Sequence, residues 1–158
     1  MSITAADEAR VLGAVPKGVY INGEWRDSSD KSVIDVIDPA TGKVLVQVAN
    51  ATAADGQDAL AAAHAAQAEW AKTSPRFRAE ILRKAFDKVT EMADDFALLM
   101  SLEMGKPVAE AKGEVAYGAE FLRWFSEETS HQSGRFATAP DGKMRIMVQK
   151  RPVGPSLF

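Results

Sequence analysis

The middle of the chain, residues 52–130, is divided by helix-capping residues into consecutive helical segments. Thr52, followed three positions later by Asp55, forms a capping-box pattern that begins an alanine-rich helix running to about Lys72. Ser74 is typical of the cap of the next helix, with Pro75 at its first position. This arrangement favours a mainly helical architecture with short strands on either side.

Two further helical segments follow in the sequence. The first begins at Asp94 or Asp95 and ends at Gly105, with Pro107 beyond it. The second runs from about Val108 to Ser130. From the apolar spacing of the four segments, we expect the following side chains to be largely buried: Trp70, Ile81, Leu82, Val89, Leu99, Val115, Leu122 and Phe125.

Glycines interrupt the last helical segment at Gly113 and Gly118. Each costs about 1 kcal/mol relative to alanine in a helix interior. Such a cost predicts that another backbone approaches the helix closely at these positions.

Three pairs of short strands are predicted outside the helices. Asn22-Gly23 is the strongest short hairpin signal. It lies in the middle of "VYINGEW" (19–25), with apolar residues before and after it. A second hairpin surrounds residues 38–42, and a third turns at residues 140–142. We therefore expect edge-type β-ribbons rather than one large sheet.

The two ends of the chain lack helical periodicity. Residues 1–16 are predicted to be a loosely held arm. The last segment, "RPVGPSLF" (151–158), has prolines and a glycine before the apolar pair Leu157-Phe158. Because terminal residues have few neighbours to bury them, such an ending predicts either a tail that docks on the body or a strand cut off from its partners.

Composition excludes several classes of function. A net charge of −3 gives no general attraction to phosphate backbones, so we expect no nucleic-acid partner. No apolar run reaches the roughly 18 residues that a membrane helix needs. The polar start "MSITAADEAR" lacks the features of a signal peptide, and a cytoplasmic location is expected.

Few catalytic sets are possible with these residues. The sequence has no cysteine, which excludes disulfides, thiolate metal sites and a cysteine nucleophile in this chain. With only His64 and His131, a multi-histidine metal site is also excluded. Ser130-His131 lacks the Gly-x-Ser-x-Gly elbow of hydrolases, and "GKP" at 105–107 lacks the remainder of a phosphate loop. The adjacent acid pairs Asp94-Asp95 and Glu127-Glu128 are explained by helix caps and solvated surface charge rather than by acid–base catalysis. The residues alone therefore indicate an α/β chain without a self-contained active site.

Four stretches carry a family resemblance, in the family's order and spacing. They are "YINGEWRDS" (20–28), "VIDPATGKVLVQVANAT" (36–52), "LLMSLEMGKPVAEAKGEV" (98–115) and "RPVGPSLF" (151–158). Together they resemble the amino-terminal third of the aldehyde dehydrogenase superfamily. The motif "SLEMGKPVAEAKGEV" followed by "FLRWFSEE" is most similar to its succinate-semialdehyde dehydrogenase branch.

The resemblance implies an α/β fold of which this chain is an incomplete part, mostly helical with β-hairpins. Residues 1–135 would be the amino-terminal part of the NAD(P)-binding domain. Residues 136–151 would supply strands of the oligomerisation region. Residues 152–158 would begin the dinucleotide-binding sheet, truncated at its first strand.

The family mechanism implies a cysteine thiolate that attacks the aldehyde, hydride transfer to NAD or NADP, and a glutamate that activates water. The matching nucleophile and general base lie outside this sequence, so we expect the chain alone to be inactive and to bind no cofactor. The alternative is a stand-alone, non-catalytic helical interaction module. A natural module should end in a polar terminus, and the apolar ending at Leu157-Phe158 favours truncation.

Site residues follow from the resemblance alone. The Ile37 carbonyl and the Glu103 carboxylate match positions that hold a structural monovalent cation in some family members; a simple surface acid is the alternative for Glu103. Tyr117, Phe121 and Trp124 match the wall of the substrate tunnel, and ordinary core packing is the alternative for all three.

Association is expected if the chain lacks its neighbouring strands. Parallel sheets are normally buried on both faces, and bare apolar patches seek partners. We therefore expect a homo-oligomer built on the last two helices and the strands within residues 136–150.

Overall fold

Helices make up most of the protein. The structure is a computed structural model that describes residues 3–157. Within that range the helices are α1 (Ala5–Ala14), α2 (Ala53–Lys72), α3 (Pro75–Glu91), α4 (Ala93–Met104) and α5 (Val108–Glu128), and a short 3-10 turn (Thr129–His131) follows α5.

The strands form three separate antiparallel hairpins rather than one sheet. Each pair is joined by a short turn, and no pair shares an edge with another in residues 3–157. Their bounds are β1 (Val19–Ile21) with β2 (Glu24–Arg26), β3 (Val33–Ile37) with β4 (Val44–Ala49), and β5 (Arg135–Thr138) with β6 (Arg145–Val148).

The helix boundaries confirm the capping predictions. The Thr52 hydroxyl accepts from the Asp55 N–H at 3.3 Å, and the Asp55 carboxylate accepts from the Thr52 N–H at 2.9 Å, completing the capping box. Ser74 accepts from the Phe77 N–H at 3.2 Å. Gly105 ends α4 in the left-handed region, with φ of 75°.

The hairpin predictions are also confirmed. Asn22 and Gly23 both have positive φ, 53° and 85°, as a two-residue hairpin turn requires. Ile21 consequently pairs with Glu24. The second and third hairpins turn at the predicted sites, with Gly42 and Gly142 in the left-handed region.

The prediction of a loosely held arm at residues 1–16 is wrong, because α1 occupies most of this segment. Thr4 and Asp7 form a capping box at its start. The Arg10 guanidinium makes two hydrogen bonds to the Asp95 carboxylate on α4, at 2.7 and 2.8 Å. Val11 is buried, so its side of α1 packs against the body.

The core lies where α3, α4 and α5 pack together. Its centre consists of Ala97 from α4 with Ala111 and Val115 from α5. Small side chains allow the helices to approach closely. Val89 of α3 and Met100 of α4 pack around this centre.

The predicted burial list is only partly correct. Val115 is buried, and four other members are half-buried: Leu82, Val89, Leu99 and Leu122. Trp70, Ile81 and Phe125 are exposed, at 47%, 41% and 54%. Periodicity identified the apolar face of each helix, but no described element covers these three positions.

The expected close approach at Gly113 and Gly118 is also wrong for residues 3–157. A Cβ atom added at either position would meet no described heavy atom within 4 Å. These glycines lie on exposed parts of α5.

The segment after β6 runs without regular structure to residue 157. It passes alongside α2, since a Cβ atom at Gly56 would lie 3.4 Å from the Leu157 side chain. Val153 is fully exposed. The prediction that a sheet strand begins at residues 152–158 stays a prediction, because residues 152–157 form no strand and Phe158 lies outside the described residues.

A membrane-spanning role finds no support in the helices of residues 3–157, none of which is both long and apolar enough to cross a bilayer.

Candidate functional site

Helix α5 presents an aromatic face to its surroundings. Tyr117, Phe121 and Trp124 follow one another at spacings of four and three residues, which places them on the same side of the helix. Their exposed fractions are 68%, 49% and 63%. The rings of Tyr117 and Phe121 meet edge to face, with centroids 5.1 Å apart. We call these three residues the aromatic face.

The opposite side of α5 holds the helix in place. Ala111, Val115 and Ala119 recur every four residues and are all buried. The aromatic face therefore points away from the core formed by residues 3–157, and its assignment to a tunnel wall stays a prediction. The sequence motif thus places a rigid aromatic surface on a well-anchored helix.

The predicted cation positions lie on two segments that meet. Ile37 ends β3, and Glu103 is exposed in the last turn of α4. A Cβ atom at Gly105 would lie 3.0 Å from Cγ of Pro39, so the residues just after Ile37 and Glu103 are in contact.

The donor types at this contact suit a hard cation. The two positions carry a backbone carbonyl and a carboxylate, and Glu103 lies at the negative end of the α4 dipole. Within residues 3–157, no cluster of three or more histidine, aspartate or glutamate side chains could hold a metal ion. A cation at this place would therefore depend on backbone carbonyls.

The loop at residues 105–107 is tied down by its neighbours. The Ser101 hydroxyl donates to the Lys106 carbonyl at 2.8 Å. The Lys106 ammonium pairs with the Glu114 carboxylate on α5. Because this charge is already compensated, the loop does not offer the free lysine that a phosphate loop uses.

Ser130 and His131 line a cavity of about 310 Å³ between α3 and the end of α5. A nucleophile and its base should be joined by a hydrogen bond. In the described part of the chain no hydrogen bond joins these two side chains. The cavity therefore offers no support for hydrolase chemistry.

Among the acidic residues of the 3–157 range, Asp55 is the one that is buried. The sequence predicted it only as part of a helix cap. Its carboxylate accepts from the N–H groups of Thr52 and Ser29, at 2.9 and 3.1 Å, and the Arg26 guanidinium lies 3.6 Å away. The hydrogen bonds from Thr52 and then Ser29 lower the pKa of Asp55 from 3.8 to about 2. This carboxylate links the start of α2 to the loop after β2, and its role is structural.

The sequence offers neither a thiol nucleophile nor the glycine-rich loop of many dinucleotide sites. It contains no cysteine and no Gly-x-Gly-x-x-Gly motif.

Comparison with known proteins identifies the family. Residues 25–158 match the aldehyde dehydrogenase family. The chain is 65% identical over 115 residues to succinate-semialdehyde dehydrogenase of Paenarthrobacter nicotinovorans, a match that covers 73% of this chain and 26% of that protein. It is 42% identical over 135 residues to glutarate-semialdehyde dehydrogenase of Pseudomonas aeruginosa, covering 85% of this chain and 28% of that protein. The chain thus spans about a quarter of the length of these relatives.

Solved structures agree in fold. Succinate-semialdehyde dehydrogenase from Burkholderia pseudomallei superimposes with a TM-score of 0.80 at 45% identity, over 85% of this chain and 28% of that one. Betaine aldehyde dehydrogenase from Staphylococcus aureus, in complex with NAD+, gives a TM-score of 0.81 at 26% identity, over 85% and 27%. The predicted fold class, a mostly helical part of a cofactor-binding domain, is confirmed. By sequence and by fold, the chain belongs to the aldehyde dehydrogenase family.

Proposed function

We propose that this chain forms the amino-terminal part of a dehydrogenase that oxidises succinate semialdehyde to succinate with NAD or NADP. The observation that carries the proposal is the 65% identity to a relative with that substrate in its name. At 42% identity the relatives include both a glutarate-semialdehyde and a succinate-semialdehyde dehydrogenase, so the choice of substrate rests on the 65% relative.

The aromatic face of α5 is the part of this chain proposed to meet substrate. In the complete enzyme, Tyr117, Phe121 and Trp124 would line the path of the aldehyde. Exposed rings on an anchored helix exclude water from the carbon chain of a small substrate and orient it by contact. A bound nicotinamide cofactor would supply the hydride acceptor.

A structural cation is proposed between β3 and α4. The Ile37 carbonyl and the Glu103 carboxylate would be two of its oxygen ligands. Such an ion would fix the contact of Pro39 with Gly105 and so support the start of α5 at Val108. We further propose a homo-oligomer in the cytoplasm, as the sequence analysis predicts.

A chimeric enzyme tests the main proposal. The matching segment of the Paenarthrobacter nicotinovorans relative is replaced by this chain, and oxidation of succinate semialdehyde is measured with each nicotinamide cofactor. We expect the chimera to be active and the 158-residue chain alone to be inactive. A chimera that folds as the relative does but oxidises no aldehyde would contradict the proposal and favour the stand-alone interaction module.

Substitutions in the chimera test the aromatic face. Trp124→Ala should raise KM for succinate semialdehyde about tenfold, because a contact surface is removed from the path. Lys112→Ala is the matched control, since Lys112 is exposed on the same helix, outside the aromatic face, in a surface ion pair with Asp94 at 2.7 Å. Equal KM values in both variants would remove Trp124 from the substrate path.

A further inference from the structure

A groove separates α2 from the segment that follows β6. It has a volume of about 830 Å³, within the range of sites for small organic ligands. One wall belongs to α2 and the other to residues 150–156. We call it the tail groove; the lining residues used below are Ala63, Ala66, Trp70, Arg78, Lys150 and Arg151.

The α2 wall of the tail groove is mainly apolar, with Gln67 as its one polar side chain. Ala63 and Ala66 contribute methyl groups one turn apart. Trp70 lies on the next turn with 47% of its surface exposed. Its ring packs edge to face with Phe77, with centroids 6.4 Å apart, which restricts its orientation. An aromatic or aliphatic ligand body could therefore lie against this wall at little cost in side-chain ordering.

Positive charges gather around the same groove without a compensating acid. The Arg78 guanidinium donates to the carbonyl and hydroxyl of Thr73, at 2.6 and 3.2 Å, and both acceptors are neutral. Lys150 and Arg151 are exposed and form no ion pair with any residue in the 3–157 range. No aspartate or glutamate is among the lining residues. Cations beside an apolar wall attract an anion strongly, because charge-assisted hydrogen bonds add to burial.

We propose that the tail groove binds an organic anion that combines an apolar, preferably aromatic, body with one negatively charged group. The body lies on Ala63, Ala66 and Trp70. The negatively charged group of the ligand lies beside Lys150 and Arg151. The residues that carry this proposal belong neither to the aromatic face nor to the proposed cation site, so variants in the groove test it separately from the dehydrogenase proposal.

A pair of fluorescent dyes tests both halves of the site. Anilinonaphthalene sulfonate has an aromatic body with a sulfonate, and N-phenylnaphthylamine has the same body without the charge. Titration of the 158-residue chain should show tighter binding of the sulfonate dye. The double variant Lys150→Gln, Arg151→Gln should weaken the sulfonate dye about tenfold and leave the neutral dye unchanged. Trp70→Ala should weaken both dyes about fivefold.

The control removes the same net charge elsewhere. Lys84→Gln with Lys88→Gln takes two cations from the exposed side of α3, away from the groove. We expect the control to bind both dyes as the unmodified chain does, and far-UV circular dichroism to show the same helix content in all variants. Equal affinity for the two dyes would overturn the proposal, since exposed apolar surface alone would explain it. Equal losses in the control and in the groove variant would also overturn it, since net charge alone would be responsible.

Discussion

Asp55 shows how a single charged side chain can join separate segments of this fold. It is 2% exposed, yet every described partner of its carboxylate is a hydrogen-bond donor. The donors come from two places, Thr52 at the start of α2 and Ser29 in the loop after β2. The charged carboxylate therefore fixes the first hairpin to the helical body.

The Asp55→Asn variant should lower the melting temperature by about 5 °C. An asparagine amide would turn one N–H₂ group toward buried N–H donors and leave them without an acceptor. Asp58→Asn is the matched control, because Asp58 also pairs with Arg26, at 2.7 Å, but is 62% exposed. Thermal unfolding followed by circular dichroism measures both. Equal melting temperatures for the two variants would show that Arg26, not the buried hydrogen bonds, is the important partner.

The stability of the fold should also depend on pH through Asp55. Its pKa is about 2 in the folded chain and 3.8 as an ordinary carboxyl, so the unfolded chain takes up the proton first as the pH falls. Its contribution to the free energy of unfolding is full above pH 3.8 and is lost between 3.8 and about 2. Urea unfolding across this window should show a shallower decline for Asp55→Asn than for the unmodified chain. Parallel curves would mean that the other carboxylates account for the whole effect.

Residue-level signals in the sequence were reliable where the physics is local. The caps Thr52 and Ser74 and the Asn22-Gly23 turn depend on groups within three or four positions, and the structure confirms all of them. Burial is not local. Trp70 lies on the predicted apolar side of α2, but only a neighbouring element could have covered it, and periodicity does not show whether one is present.

At the scale of elements, α1 is held to the body by one buried side chain and one ion pair. Val11 is 4% exposed, and Arg10 bonds to Asp95 on α4. The Lys17 ammonium also donates to the Leu12 and Val15 carbonyls, which closes the end of the helix. The sequence does not predict α1 because a ten-residue helix is marginal alone, and its anchor on α4 is 85 positions away.

Val11→Ala should detach α1 with little effect on the rest of the fold. Loss of two buried methyl groups costs about 1.5 kcal/mol, which is large for so short a helix. Hydrogen exchange should show lost protection in residues 5–14 and unchanged protection in α3 and α5. Arg10→Gln should have a smaller effect, since that ion pair is exposed to solvent. Uniform loss of protection throughout the chain would show that α1 belongs to the same cooperative unit as the core.

For the whole molecule, the distribution of apolar surface is uneven. The buried centre consists of small side chains, and among residues 3–157 no large side chain is completely buried. Large apolar side chains are instead exposed on α5 and on the β5–β6 hairpin. Phe136 and Met147 are paired across that hairpin, at 72% and 69% exposure. The family resemblance could be recognised from short motifs, but this uneven surface became visible only when the elements were placed in space.

The β5–β6 hairpin should therefore mediate self-association of the chain at low micromolar concentration. Its outer strand edges are unpaired in the described residues, and such edges readily pair with another chain. Covering about 200 Å² of apolar surface around Phe136 and Met147 would contribute about 5 kcal/mol before the entropic cost of association. Light scattering should give a dimer or larger species. Phe136→Ser with Met147→Thr should shift the population toward monomer, whereas Val33→Thr, at an apolar residue of β3 that is 52% exposed, should not. A monomer in the unmodified chain would show that this apolar surface is insufficient to overcome the cost of association.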